Sequence, residues 1–371
     1  MTTPPSDKDK DVYVAPRSIF TCAALRTLRL VYCCLDDLPS SSSAVALPSL
    51  DTLHLTGVTG GNRAVERLVS SCPRLAALTL EACAMVTALS VPADARLRTL
   101  ALRCCHDLAA VVVADASELR AFEYRGAVPA GPSFLTLHGG ALTVSSCTLD
   151  FCGEEAVDPL HLAGLSDMLR LFVGVERLHL TSARLGFRGA LWLSPSAFPA
   201  FTKLRHLELT GMLPDDDDDD DDATAIDVVT RILERTLDLE TLTLFFMPEP
   251  ELEPGTQKFY RAWANITVNK YYGHHEEEVQ HGNKLKYDKH VSLPVPDTEL
   301  HCLRKRVKEI NLVHYQGGMA QRMLAKFLLC NAPAVQEVCG EFASGPLFVQ
   351  IKLMEEIKGW VMNKSANMMF F

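Results

Sequence analysis

Residues 97–111 read LRTLALRCCHDLAAV, and two readings compete for them. Two cysteines followed by a histidine, Cys104-Cys105-His106, suggest a metal site. Leucines at every second or third position suggest a strand in a stacked scaffold. Neighbouring residues on a strand or turn point in different directions, so three donors in a row converge poorly on one ion. The rest of the chain favours the scaffold. LRTLAL at 97 has counterparts LRTLRL at 25, LDTLHL at 50, LAALTL at 75, LRAFEY at 119, VERLHL at 175, LRHLEL at 204 and LETLTL at 239. A weaker copy, GGALTV, stands at 139.

The first five copies begin 25, 25, 22 and 22 residues apart, inside the range of a leucine-rich repeat. Beyond 139 the intervals widen to 36, 29 and 35 residues, which implies insertions on one face. In L-x-x-L-x-L the last two leucines alternate, as a strand with one buried face requires. AVERLVSSCPRL at 64–75 supplies a return segment: Val65, Leu68 and Val69 share a helical face and Pro73 stops it. One unit cannot bury its leucines alone, whereas stacked units can. The expected fold is α/β, a leucine-rich-repeat solenoid: a curved parallel sheet with short helices and irregular segments on its convex side. Cys33, Cys83 and Cys105 each stand three residues after the last leucine of their strand, and Cys147 follows Val144 by the same step. All four are read as small inward residues, with Cys72 at a helix end.

Bulk properties narrow the function. The chain has 371 residues and a net charge of −10, and one run, Asp215–Asp222, carries eight of those charges. No basic face for nucleic acid is therefore expected. No C-x-x-C pair, secretory segment or membrane span is visible, which favours a cytoplasmic or nuclear setting. The aspartate run reads as a solvated loop, lacking the glycine and distal glutamate of a calcium loop. His274-His275-Glu276-Glu277-Glu278 lies in a polar stretch with no rigid frame for zinc. No phosphate-binding loop, dinucleotide fingerprint or nucleophile elbow is present. No enzyme activity, metal or cofactor is expected.

The cysteine-containing repeats resemble those of plant F-box proteins. The resemblance is stronger over residues 300–371, where VKEINLVHYQG, AQRMLAKFLLCNAP and AVQEV stand in the order of the FBD domain. Their pattern reads as a strand, a helix with Met319, Met323, Leu324, Phe327 and Leu328 inward, a second strand, and a last helix burying Ile351, Met354, Ile357 and Val361. This block would extend and cap the solenoid. The resulting layout is a disordered segment 1–14, repeats over 15–247 with an acidic insertion at 213–223, a polar linker 248–299, and an FBD domain 300–371. The resemblance implies the substrate-recognition part of an SCF-type ubiquitin ligase receptor, acting in ubiquitin-dependent degradation. Members of the family usually begin with an F-box, which docks on a Skp-type adaptor of a cullin ligase. Here the first repeat starts by Leu25, so adaptor and cullin are expected as partners only if an F-box lies upstream. The alternatives are a protein that competes for or shields the same targets and, less favoured, a small-ligand sensor.

Target binding is expected on the concave face, at the residue between the last two leucines of each strand. That column reads Arg29, His54, Thr79, Ala101, Glu123, Thr143, His179, Glu208 and Thr243. The candidate binding residues are Arg26, Arg29, Asp51, His54, Arg98, Arg103, Arg120, Glu123, Glu176, His179, Arg205, Glu208 and Glu240. Mixed charges with arginines suit a protein interface. No membrane or nucleic-acid partner is expected.

Overall fold

A computed structural model describes residues 13–35, 45–129, 131, 133–139, 143–152, 159–185, 198–213, 225–248, 285–287 and 299–371. The aspartate run, the 274–278 cluster, most of the 248–299 linker and residues 1–12 lie outside the described residues. The chain divides into an N-terminal unit, residues 1–126 and 133–143, and a C-terminal unit, residues 127–132 and 144–371.

In the N-terminal unit a two-residue strand, β1 (Tyr13–Val14), pairs with β3 (Cys33–Cys34). The main sheet runs β2 (Thr27–Val31), β4 (Thr52–Thr56), β5 (Ala77–Glu81), β7 (Thr99–Arg103) and β9 (Ala121–Arg125), all parallel. The register puts leucine on leucine: Leu28, Leu53, Leu78 and Leu100 form one row, Leu30, Leu55, Leu80 and Leu102 the next. Phe122 and Tyr124 continue both rows in β9, and every member is buried. Alternation does the sorting, because the residues between the leucines point to the opposite face.

The return segments explain the change of interval. After β4 the chain returns through helix α1 (Asn62–Ser70), which buries Ala64, Val65, Leu68 and Val69. After β5, β7 and β9 it returns instead through β6 (Ala88–Val91), β8 (Ala110–Val113) and β10 (Leu135–Leu137), a second, three-stranded parallel sheet. Nine helical residues advance roughly 13 Å and four extended residues advance about the same distance. A strand therefore covers the return in fewer residues, and the interval from β5 to β7 falls to 22. Short helices and irregular segments were expected here; the strands follow from Val111-Val112-Val113 and Leu89, whose alternating burial suits a sheet. Asn62 ties the two kinds of return together: its Oδ1 accepts from the amides of Thr87 (2.7 Å) and Ala88 (3.2 Å).

Each of the first four main strands ends on a left-handed residue two positions after its last leucine: Tyr32, Gly57, Ala82 and Cys104, with φ between 49° and 57°. That twist turns the next residue back under the sheet, which is how Cys33, Cys83 and Cys105 become buried. Cys83 Sγ donates to Glu81 O at 3.4 Å and Cys105 Sγ to Arg103 O at 3.4 Å, each sealing its turn.

The C-terminal unit has a sheet of seven parallel strands in chain order: β11 (Ser146–Asp150), β12 (Arg177–Arg184), β13 (His206–Met212), β14 (Thr241–Phe246), β15 (Glu309–Tyr315), β16 (Glu337–Phe342) and β17 (Asn367–Phe370). The helices of its returns are α2 (Pro159–Leu171), α3 (Ala225–Glu234), α4 (His301–Lys305), α5 (Met319–Cys330) and α6 (Leu347–Trp360). Aromatic rings link its later strands, with centroids 5.8 Å apart for Phe246–Tyr315, 6.1 Å for Tyr315–Phe342 and 5.8 Å for Phe342–Phe370.

Three sequence expectations need correction. The copy at 139 is displaced: the strand is Ser146–Asp150, so VSSCTL supplies the repeat, and Thr148 rather than Thr143 stands between its inward residues. Cys147 accordingly fills a leucine slot opposite Leu178, and Cys152 takes the place after the strand. In α5, Met319 is exposed and the inward face is Leu324, Ala325, Phe327 and Leu328. In α6 the helix buries Leu353 and Ile357, leaving Leu347, Phe348 and Ile351 in solvent. Ile351 stands two residues from Leu353, about 200° around the helix, so the two cannot share a face.

Candidate protein-interaction face

The open face of the N-terminal sheet is a grid. Its middle column runs Arg29, His54, Thr79, Ala101 and Glu123, and the next runs Val31, Thr56, Glu81, Arg103 and Arg125. Two polar clusters occupy it. His54 Nε2 lies 3.2 Å from Glu81 Oε2 and 3.0 Å from Thr56 Oγ1, and Thr56 also donates to Glu81 at 3.4 Å. Arg103 grips Glu123 with two hydrogen bonds of 2.7 Å, and Arg125 Nε stands 3.3 Å from the same carboxylate. The forked guanidinium–carboxylate pair fixes both side chains. Among the other candidates, Asp51 faces Arg74 at 3.8 Å, Arg98 pairs with Glu118 at 3.4 Å, and Arg120 donates to Thr143 O at 3.4 Å. Arg26 and Arg29 are exposed. Ala101 was expected on the open face; it occupies that column but is buried, because a methyl group is shorter than the side chains around it.

The C-terminal sheet repeats the theme. His179 Nε2 lies 3.0 Å from Thr181 Oγ1, 3.1 Å from Thr210 Oγ1 and 3.6 Å from Glu208 Oε1. His179, placed on the exposed surface by its sequence position, is 9% accessible, since two threonines and a glutamate close around its ring. Glu240 bridges Lys308 at 3.1 Å and Arg205 at 3.7 Å. The hydrogen bond and charge of Lys308, with a smaller effect from Arg205, hold the Glu240 carboxyl below its usual range. Asn311 donates to Thr243 at 3.1 Å and to Glu309 at 2.8 Å. Glu176 is exposed.

Thr56, Glu81, Arg125, Thr181, Thr210, Lys308 and Asn311 belong to these clusters and were not among the sequence candidates. A signal for two of them was present: LHLT occurs at 53–56 and again at 178–181, which places a threonine two residues after each column histidine. The donors of the opening stretch are split by the turn. Cys105 points inward and is buried, while Cys104 Sγ and a His106 ring nitrogen come within 4.8 Å of each other. The neighbouring Cys83 thiol and burial push the Cys105 thiol up, and Cys105 moves that of Cys83 down. Burial holds the Cys147 thiol well above its ordinary range.

The arrangement offers polar side chains at fixed spacing. The repeats match those of the FBD-associated F-box proteins. The match covers residues 4–132, against the repeat model described as FBD-associated F-box protein At5g56370, LRR repeats. The F-box/FBD/LRR-repeat protein At3g52680 of Arabidopsis thaliana is 42% identical over 78 residues, 20% of this chain. A second F-box/FBD/LRR-repeat protein of that plant, At5g62970, is 41% identical over 75 residues, again 20% of the chain. Each alignment covers 16% of the relative's own length. The resemblance read from the sequence thus extends to named members of the family. Among the described residues no helix is long and apolar enough to cross a membrane.

Proposed function

We propose that this chain is a non-catalytic interaction scaffold whose open sheet face recognises a target protein, as the substrate-recognition part of an SCF-type ubiquitin ligase receptor does. The observation that carries this reading is the grid of half-buried, mutually held polar side chains centred on His54–Glu81 and Arg103–Glu123. Side chains held by their neighbours lose little entropy on binding, and arginines paired in this way are frequent energetic anchors of interfaces. The similarity to F-box/FBD/LRR-repeat proteins supports a ubiquitin-ligase setting, in the cytoplasm or nucleus.

Affinity capture from plant extract tests the reading. The wild-type chain and a face variant, Arg29→Glu with His54→Ala and Glu81→Ala, are compared by quantitative mass spectrometry. Selective loss of at least one captured protein is expected from the variant. If every captured protein is retained, the sheet face is not the recognition surface. Probing the same eluates for a Skp-type adaptor and a cullin separates a ligase receptor from a protein that only shields its targets.

A further inference from the structure

Leu285, Lys286 and Tyr287 lie against the C-terminal unit as a peptide lies in a groove. Two consecutive amides of this strap donate to main-chain carbonyls: Leu285 N to Ser344 O at 3.2 Å and Lys286 N to Gln316 O at 2.8 Å. The Leu285 side chain rests over Gly345, where a Cβ would stand 2.6 Å from Leu285 Cδ1. Tyr287 packs its ring under the Arg322 guanidinium, 4.9 Å from its centroid, and its hydroxyl donates to Glu356 Oε1 at 3.3 Å.

The walls of the groove hold themselves. Arg322 on α5 and Glu356 on α6 form a forked pair, Nε to Oε2 at 3.0 Å and Nη2 to Oε1 at 2.8 Å, with the Arg322 side chain only 3% accessible. Gln321 Oε1 accepts from the amides of Gln316 (2.8 Å) and Gly317 (3.2 Å), which sets the loop whose carbonyl receives Lys286. Gly317 has a φ of +76°, and a Cβ there would come within 2.6 Å of Leu353. None of these contacts involves the strap. Main-chain bonds for affinity, with a small apolar seat and one polar anchor for specificity, are the elements of peptide recognition on a pre-formed site.

We propose that this groove is a docking site for an extended peptide with an aliphatic residue two positions before a tyrosine, and that the chain occupies it in cis with Leu285–Tyr287. The site is separate from the open sheet face and goes beyond the role proposed for it. A tethered segment acts at an effective concentration on the order of millimolar, so a partner bearing the same pattern must displace the strap. Leu285 supplies the apolar contact, Lys286 a main-chain donor, and Tyr287 both the ring for Arg322 and the donor for Glu356.

The test uses the full chain and the labelled peptide Asn-Lys-Leu-Lys-Tyr-Asp-Lys, the sequence of residues 283–289, followed by fluorescence anisotropy. Emptying the groove with Leu285→Gly and Tyr287→Gly should let the peptide bind at least ~10-fold more tightly than it binds the wild-type chain. Replacing tyrosine by phenylalanine in the peptide should weaken binding to the emptied chain by ~2–12-fold, the worth of one hydrogen bond. Tyr287→Phe in the protein is the gentler variant, should the double one melt early; it should admit the wild-type peptide more readily than the unaltered chain does. Equal binding to wild-type and emptied chains, binding to neither, or equal binding of a peptide with both key residues changed to glycine would each overturn the proposal.

Discussion

The two units build the same sheet and return from it by different means. In the N-terminal unit the intervals shorten to 22 residues where strands β6 and β8 replace the helix. In the C-terminal unit helices stand in most of the described returns, and the interval between β13 and β14 is 35 residues. Yet the inward rows are alike: Leu100 lies between Leu78 and Phe122, and Leu207 between Leu178 and Leu242. The sheet is thus the conserved mechanical part of each repeat. The return need only cover a fixed distance, by whichever element its residues prefer.

That contrast can be attacked at several points. If the rows are equivalent, Leu100→Ala and Leu207→Ala should cost similar amounts, ~2–5 kcal/mol each, since both side chains are fully buried. Urea denaturation measures both, and a large disparity would break the equivalence. Gly57→Ala should be next, ~1–3 kcal/mol, because it forces a side chain into a left-handed site within 2.6 Å of the Tyr32 ring. Asn62→Ala should cost ~1 kcal/mol by freeing Thr87 N and Ala88 N. Amide exchange should then rise at β6, where helix and strand returns meet. Ala82→Gly should stabilise by ~0.5–1 kcal/mol, since glycine accepts the same turn without strain. A melting temperature that fails to rise would show that the turn carries no strain.

The smallest effect concerns pH and belongs to the C-terminal unit. The folded pKa of Glu240 is lowered by Lys308, so its contribution is complete above the unfolded carboxylate value. It is lost as the pH falls below the unfolded value and through the lowered folded one. Carboxyl-detected NMR should place Glu240 below its exposed neighbours and return it to the ordinary range in Lys308→Gln. An unchanged titration in that variant would assign the shift elsewhere.

The sheet was readable because alternation of leucines is a local pattern with one physical solution. The β6–β8–β10 sheet was not, because Ala88–Val91 and Ala110–Val113 are short apolar runs whose period fits a strand or a helix turn equally. The displaced copy at 139 failed for a related reason: Cys147 acts as the leucine of its strand, and a hexamer defined by leucine passes over it. On the candidate face, positions in the column were legible, but partnerships were not. His54 meets Glu81, and Thr243 meets Asn311, across intervals that only the register of the strands defines. The strap escaped notice because nothing in Leu285-Lys286-Tyr287 departs from the polar stretch around it.

The in-register columns of the N-terminal sheet are also a ruler. Parallel strands stand about 4.8 Å apart, so Arg29, His54, Thr79, Ala101 and Glu123 mark four divisions over roughly 19 Å. An extended segment laid across them offers a same-side residue every ~6.6 Å and loses step within two strands. A helix laid the same way advances about 5.4 Å per turn and slips by only ~0.6 Å per strand. The columns therefore match the pitch of a helix more closely than the repeat of an extended chain.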